Sequence, residues 1–317
     1  MSAESSLATS VLALLRLPGV GPVRTNRLLA RLDGEDGRPL GTPVGDAAIE
    51  SLLDESQRRA WPAALDGAHQ ALTRARATGA ETLTIRDAGY PAQLSALLGD
   101  GAPPMLFVRG RTDCLTSCGV GFCGSRHASD KGLATATDCA DQLARRGVNV
   151  ISGYAAGVDS AVHKAALAAG GTTTMVLAEG ILGFRPKSTF AAEWDAERIV
   201  VVSEFAPDAP WSVANAMQRN KTICALSRAM VLIEAGLTGG SMAAGKKCLA
   251  MGLPLFAAVY EGMPASAAGN AELIRLGAQR LMRNRTLKRA NIAPLLAAID
   301  PACATTPAPE TALAVAR

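Results

Sequence analysis

Four stretches of this chain concentrate residues able to hold an anion. Gly124-Ser125-Arg126-His127-Ala128-Ser129 follows the apolar run 119–123. Ser152-Gly153-Tyr154-Ala155-Ala156-Gly157-Val158-Asp159 follows the run 148–151, with His163 four residues beyond Asp159. Glu234-Ala235-Gly236-Leu237-Thr238-Gly239-Gly240-Ser241 follows the run 230–233, with Lys246 and Lys247 downstream. Gln218-Arg219-Asn220-Lys221 sits at the start of a helical pattern. Glycine lets a backbone approach a ligand, and hydroxyls and amides at a helix start donate to negative oxygen. Arginine adds a planar fork for phosphate and lysine a point charge. The chemistry is recognition of a phosphodiester chain or a nucleotide. Any one of these loops also reads as an ordinary capped strand–helix turn. Four of them, carried by separate strand–helix units toward one rim, make the more specific signal.

Other chemistries find less support. Gly153 and Gly157 are four apart, which is not the G-x-G-x-x-G spacing of dinucleotide enzymes. Asp159 and His163 share a helix face and are compatible with an acid–base pair or a metal site. The commoner use of such a pair is to fix a helix start, so Asp159, His163 and Glu234 are expected to be structural at the pocket. His69 and His127 are the only other histidines, so a two-histidine zinc site would need distant partners. Cys114, Cys118 and Cys123 have spacings of neither a zinc pair nor an iron–sulfur run, and the cysteines are assigned to structure. No nucleophile–base–acid triad is evident. No catalytic residue, metal or cofactor is therefore expected.

Composition bounds the class. The 317 residues are 49% hydrophobic and 19% charged, with 31 glycines, which is globular and argues against a largely disordered chain. No apolar run approaches the roughly 20 residues that span a bilayer. The start, MSAESSLATS, lacks the basic stretch and apolar block of a signal peptide, so a cytoplasmic location is expected. Seven cysteines, an odd number, fit reduced thiols. The net charge of +4 is mild; the basic residues divide into 25 Arg and 7 Lys, a bias that suits phosphate but that a GC-rich genome also produces. Only 4% of residues are aromatic, which leaves few platforms for stacking bases.

The elements that must position these loops fall into two kinds. Residues 1–80 read as helical: apolar segments at Val11–Leu17 and Thr25–Leu32 flank Pro18-Gly19-Val20-Gly21-Pro22, a loop is expected over Asp33–Val44, and a helical stretch over Ala47–Ala77. From Leu83 strands and helices alternate. Strands are expected at Met105–Arg109, Gly119–Cys123, Val148–Ser152, Thr173–Ala178, Ile199–Val202, Met230–Ile233 and Leu255–Val259. Helices are expected at Ser129–Arg146, Val158–Ala169, Met217–Ser227, Ser241–Met251 and Ala271–Leu276. The strands are apolar on both faces, as when helices cover both sides of a parallel sheet. The fold class is α/β: an extended Rossmann-like, doubly wound, mostly parallel sheet with a small N-terminal helical domain. The expected division is 1–82, 83–283, and a 284–317 tail with one short helix at Ile292–Ile299 and a disordered Ala/Pro end.

In order along the chain, Gly124-Ser125-Arg126, Ser152-Gly153…Gly157-Val158-Asp159…His163, Arg219-Asn220-Lys221 and Glu234-Ala235…Gly240-Ser241 resemble the DNA processing protein A family (DprA, also called Smf). Tyr90-Pro91…Leu94 and Pro103–Gly110 look like its entry segment, and Gly269…Leu273-Ile274…Gly277-Ala278 its exit; the resemblance covers about 86–282. It implies a protein that binds single-stranded DNA, usually as a homodimer, protects it during natural transformation and helps load the RecA recombinase. Carried over by position, Gly124, Ser125, Arg126, Ser152, Gly153, Gly157, Arg219, Asn220, Lys221, Gly239, Gly240 and Ser241 would serve DNA, and Lys246, on the helix after the Gly-Gly-Ser turn, is expected to join them. Leu17–Pro22 with Leu28-Leu29 resembles a helix–hairpin–helix (SAM-like) hairpin, in which Gly19 and Gly21 would reach phosphate. Departures mark a divergent member. Lys221 stands for a second Arg, Ala216-Met217 for Phe-Pro, Ala244-Gly245 for Thr-Ala and Tyr260-Glu261-Gly262 for Pro-Gly. The Asn expected at Ala271 lies one residue early, at Asn270. No C-terminal winged helix is expected in the tail. The alternative in the same superfamily is a nucleotide-binding sensor or a nucleotide phosphoribohydrolase, although Gly239–Gly245 lacks the hydrolase's Gly-Thr and Glu.

Overall fold

The computed structural model describes residues 3–34, 46–284, 286 and 288–299. The loop expected over Asp33–Val44 lies mostly, and the Ala/Pro end expected to be disordered lies wholly, outside the described residues. The chain forms two compact units, one of residues 1–112, 177–185 and 201–225 and the other of 113–176, 186–200 and 226–317. Nine strands form a sheet of order β1-β2-β6-β5-β4-β3-β7-β8-β9, with ranges given below.

The first unit opens with α1 (Ala3–Arg16) and α2 (Pro22–Gly34), joined by the Pro18–Gly21 hairpin, in which Val20 is buried and the other three residues are exposed. Proline suits the first turn of α2, where its missing N–H costs nothing. The helix expected over Ala47–Ala77 is two: α3 (Asp46–Ser51) and α4 (Glu55–Ala77). Asp54 starts a new helix by accepting from Gln57 N at 2.9 Å, while the Gln57 side chain accepts from Asp54 N. Trp61, Leu72 and Ala68 of α4 are buried, as are Leu12 and Leu14 of α1. Strand β1 (Glu81–Thr84) starts two residues before the expected change at Leu83 and pairs antiparallel with β2 (Met105–Gly110). The short helix α5 (Ala92–Leu98) lies between them, and this unit also holds α8 (Val213–Leu226, all but its last residue) and most of β6 (Ile199–Ser203).

The second unit carries β3 (Gly119–Cys123), α6 (Asp130–Ala144), β4 (Asn149–Gly153), α7 (Val158–Ala168) and β5 (Thr173–Val176). It continues with β7 (Ala229–Leu232), α9 (Gly240–Ala250), β8 (Leu255–Ala258), α10 (Gly269–Arg275), β9 (Gln279–Leu281) and α11 (Ala293–Ala298). Its pairings β5-β4, β4-β3, β3-β7, β7-β8 and β8-β9 are parallel. Strands β3, β4, β5, β7 and β8 are buried throughout, so helix-covered faces account for their unbroken apolar runs. Phe122, Val150, Val231 and Phe256 meet Ala140, Leu143, Val162 and Leu295 in one core. From β3 the chain steps outward through β4 and β5; from β7 it steps the other way through β8 and β9. The order therefore reverses between β3 and β7, and in open α/β sheets that point is where ligands bind.

Cys114, Cys123, Cys139, Cys224 and Cys248 are buried, in keeping with a structural role.

Candidate nucleic-acid interface

The β3–α6 loop and the β7–α9 loop flank the reversal point, and one carboxylate joins them. Ser129 caps α6: its Oγ accepts from Gly132 N at 3.1 Å. The same hydroxyl donates to Glu234 Oε1 at 2.6 Å, and Ser129 N donates to Oε2 at 3.1 Å. Tyr260 OH donates to the same carboxylate. Burial, with Glu234 beside it, pushes the Tyr260 hydroxyl up to about 12, so it remains a donor at neutral pH. Glu234 lies over the first turn of α6 so closely that a Cβ at Gly132 would come 2.4 Å from Oε1. His127 N donates to Ser125 Oγ at 3.0 Å. Several amides expected to meet an external anion thus already serve the protein's own oxygens. Arg126 is exposed on the same loop.

The β4–α7 loop is built from within. Ser152 Oγ lies 2.9 Å from Phe122 O and 3.0 Å from Asp159 Oδ1, and Ala155 N donates to Asp159 Oδ2 at 3.2 Å. His163 is fully buried, with Nε2 2.5 Å from Gly153 O and Nδ1 2.6 Å from Thr173 Oγ1. A carbonyl only accepts, so Nε2 carries a proton. Asp159 and His163 therefore brace the loop. Ser152 and Gly153, expected to serve DNA, are buried. Gly157 has φ +72°, and a Cβ there would lie 2.4 Å from Ser125 O and 2.6 Å from Arg126 O. Only glycine lets the two loops meet backbone to backbone, and Val158 N donates to Ser125 O at 3.3 Å. Gly157 thereby sets the position of Arg126.

The start of α9 differs from both. Gly239, the N-cap, has φ +96° and ψ −176° and no side chain to cap with, and a Cβ there would meet nothing within 4 Å. Gly240 and Ser241 are half-buried and Lys246 exposed. Lys246 sits near Glu272, whose carboxyl is held below its usual range chiefly by the Arg275 hydrogen bond, with Lys246 adding to it. Beneath the loop, buried Asn270 donates to Ile233 O at 2.7 Å and Ala258 O at 3.0 Å and accepts from Ala235 N at 2.9 Å. It ties the ends of β7 and β8 together. The offset from the expected position at Ala271 leaves a buried asparagine in place.

In the first unit, α8 carries Arg219, Asn220 and Lys221. Arg219 is 7% exposed, Asn220 half-buried and Lys221 exposed. Lys221 Nζ donates to Gln218 Oε1 at 2.8 Å; Gln218 Nε2 donates to Glu204 Oε2 at 3.3 Å and Thr222 Oγ1 to Oε1 at 2.7 Å. Burial raises the Glu204 carboxyl, opposed by those two hydrogen bonds and by the Lys221 and Arg219 charges. Sequence reasoning missed Glu204, Tyr260 and Asn270 as working parts; a polar residue next to an apolar strand end was the available signal for the first two. Gly19 and Gly21 are exposed on their hairpin.

Among the described residues no group of three or more His, Cys, Asp or Glu could hold a metal ion, and no helix is long and apolar enough to cross a membrane. Fold and loops define a doubly wound α/β protein with glycine- and serine-rich loops at its strand ends. The family described as DNA recombination-mediator protein A matches residues 81–290, and the chain belongs to that family. Protein Smf of Escherichia coli is 35% identical over 170 residues, 53% of this chain and 45% of that protein. The chain thus spans less than half the length of that relative. DNA processing protein DprA of Streptococcus pneumoniae is 30% identical over 199 residues, 62% of this chain and 70% of that protein. Its solved structure aligns with a TM-score of 0.67 at 24% identity, covering 89% of this chain and 95% of that one. A Helicobacter pylori DNA processing protein A, described for its single-stranded DNA binding mode, aligns at 0.59 and 24% identity over 70% of this chain and 97% of that one.

Proposed function

We propose that this protein binds single-stranded DNA without reading sequence and acts as a recombination mediator. On this reading it protects the strand and helps load a RecA-type recombinase, as a homodimer in the cytoplasm, in transformation or recombination. The single observation that carries the reading is the reversal of strand order between β3 and β7, with exposed Arg126 on one flanking loop and the glycine-led start of α9 on the other. Gly124, Ser125, Gly157, Gly239, Gly240, Ser241 and Lys246 serve this cradle in the second unit. Lys221, with Arg219 and Asn220 beside it, serves DNA from the first. Gly19 and Gly21 are proposed as a further backbone contact, and the division at 82/83 and 283/284 as the domain plan.

The test is a salt series of binding to single- and double-stranded oligonucleotides. Neutralised phosphates release counterions, so affinity should fall steeply with salt. Arg126→Ala and Lys221→Ala should each weaken binding and reduce the log–log salt slope by about 1, with folding intact. Salt-independent binding, or wild-type affinity in the double variant, would refute the reading. A thermal-shift screen in which mononucleotides stabilise and oligonucleotides do not would favour the nucleotide sensor, and release of free base from a nucleotide monophosphate the hydrolase.

A further inference from the structure

We propose that the exposed start of α8 is a stacking platform for unpaired nucleobases, centred on Trp211. The inference rests on the single-strand reading above and states how that strand's bases are held. Among the described residues seven large apolar side chains are exposed, and three of them, Trp211, Val213 and Met217, fall in one short span. Trp211 is 49% and Val213 68% exposed. The span is held in place. Ser212 Oγ accepts from Asn215 N at 3.0 Å, Ala216 N donates to Ser212 O at 3.0 Å, and Asn215 Nδ2 donates to Pro210 O at 3.2 Å. An indole on a pinned segment loses little freedom when it binds.

Val213, Met217 and Lys221 recur every four residues, which places them along one helix face. The stripe runs from apolar to cationic, and Lys221 Nζ is anchored by Gln218 at 2.8 Å. That succession complements an unpaired strand, whose apolar base faces alternate with phosphates; aromatic rings stack on any base, so the contact tolerates sequence. Charge argues against a second copy of this chain as the occupant, because an apolar self-contact along the stripe would desolvate Lys221.

The experiment compares the full chain with Trp211→Ala and Trp211→Phe. The probes are an oligothymidylate and an abasic oligomer of equal length and charge, read by fluorescence anisotropy over several salt concentrations. Wild type should prefer the oligothymidylate. Trp211→Ala should lose about tenfold in affinity for it, lose nothing on the abasic oligomer and keep the salt slope; Trp211→Phe should retain most of the affinity. Equal loss on both probes, or no loss on either, overturns the platform while leaving the single-strand reading intact. A wild-type dimer that Trp211→Ala converts to monomer in sedimentation also overturns it. If the wild type binds neither probe, the single-strand reading itself fails and takes the platform with it.

Discussion

Gly157 and Gly239 both have positive φ, at +72° and +96°, but alanine should act differently at the two. At Gly239 a Cβ meets nothing within 4 Å, so the cost is conformational alone. The φ/ψ pair of +96° and −176° lies in territory essentially reserved for glycine, worth roughly 1–3 kcal/mol. At roughly 2–4 °C per kcal/mol, the range for somewhat shorter chains, Gly239→Ala should lower Tm by roughly 2–12 °C. At Gly157 the same conformational cost applies, and the Cβ also lies 2.4 and 2.6 Å from two carbonyl oxygens, where ordinary contact begins at 3.4 Å. The Ser125–Arg126 backbone must move by close to an ångström, so the total should exceed about 3 kcal/mol. Urea denaturation and calorimetry measure the difference, and oligonucleotide titration its consequence. Gly239→Ala should weaken single-strand binding without changing the salt slope, because amides and helix dipole, not a cation, are lost. Full stability in Gly239→Ala would refute the strain argument. Lost stability with unchanged affinity would remove the α9 start from the interface.

Two further outcomes follow from buried polar groups. Asn270→Asp replaces an amide donor to Ile233 O and Ala258 O with an acceptor facing two acceptors; unfolding free energy at pH 7 should drop by more than about 3 kcal/mol, and near-wild-type urea stability would contradict the assigned bonds. The raised Glu204 carboxyl means the folded state holds its proton more tightly than the unfolded. The associated stability is fully present below the ordinary carboxylate pKa and declines as pH rises through the raised value. Glu204→Gln should therefore flatten the fall in stability between acid and neutral pH, as followed by urea titrations from pH 4 to 8; an unchanged pH profile would show that Glu204 does not hold that proton.

The central strands were legible because helix-covered strands are apolar on both faces, as in Ile199–Val202. Strand β9 was not, since Gln279 and Arg280 of its three residues are exposed, and so short a run has no period to read. Helix α8 begins at Val213, four residues before the expected Met217, because Ser212 supplies a capping oxygen to Asn215 that composition does not advertise. In the candidate site the glycine- and serine-rich loops stood out, but their division of labour did not. Arg219 reads as a binding cation, yet it is on the inward side of α8. Glu234 meets Ser129 across 105 residues of sequence, a distance over which no local pattern operates.

That long-range contact bears on which ligand the fold is suited to. In doubly wound proteins that bind nucleotides, the phosphate sits at the first helix start beside the reversal point. Here the corresponding helix is α6, and its first turn holds the Glu234 carboxylate with three hydrogen-bond donors converging on it. A phosphate brought there would have to displace a buried side chain that is held by those hydrogen bonds, which is costly where water is excluded. The mononucleotide position is in effect taken by the protein itself. The proposed contacts, the start of α9 and the exposed Arg126, suit singly charged phosphodiesters spaced along a chain better than one concentrated terminal phosphate. Glu234 thus weighs against a nucleotide sensor or hydrolase and in favour of a polynucleotide.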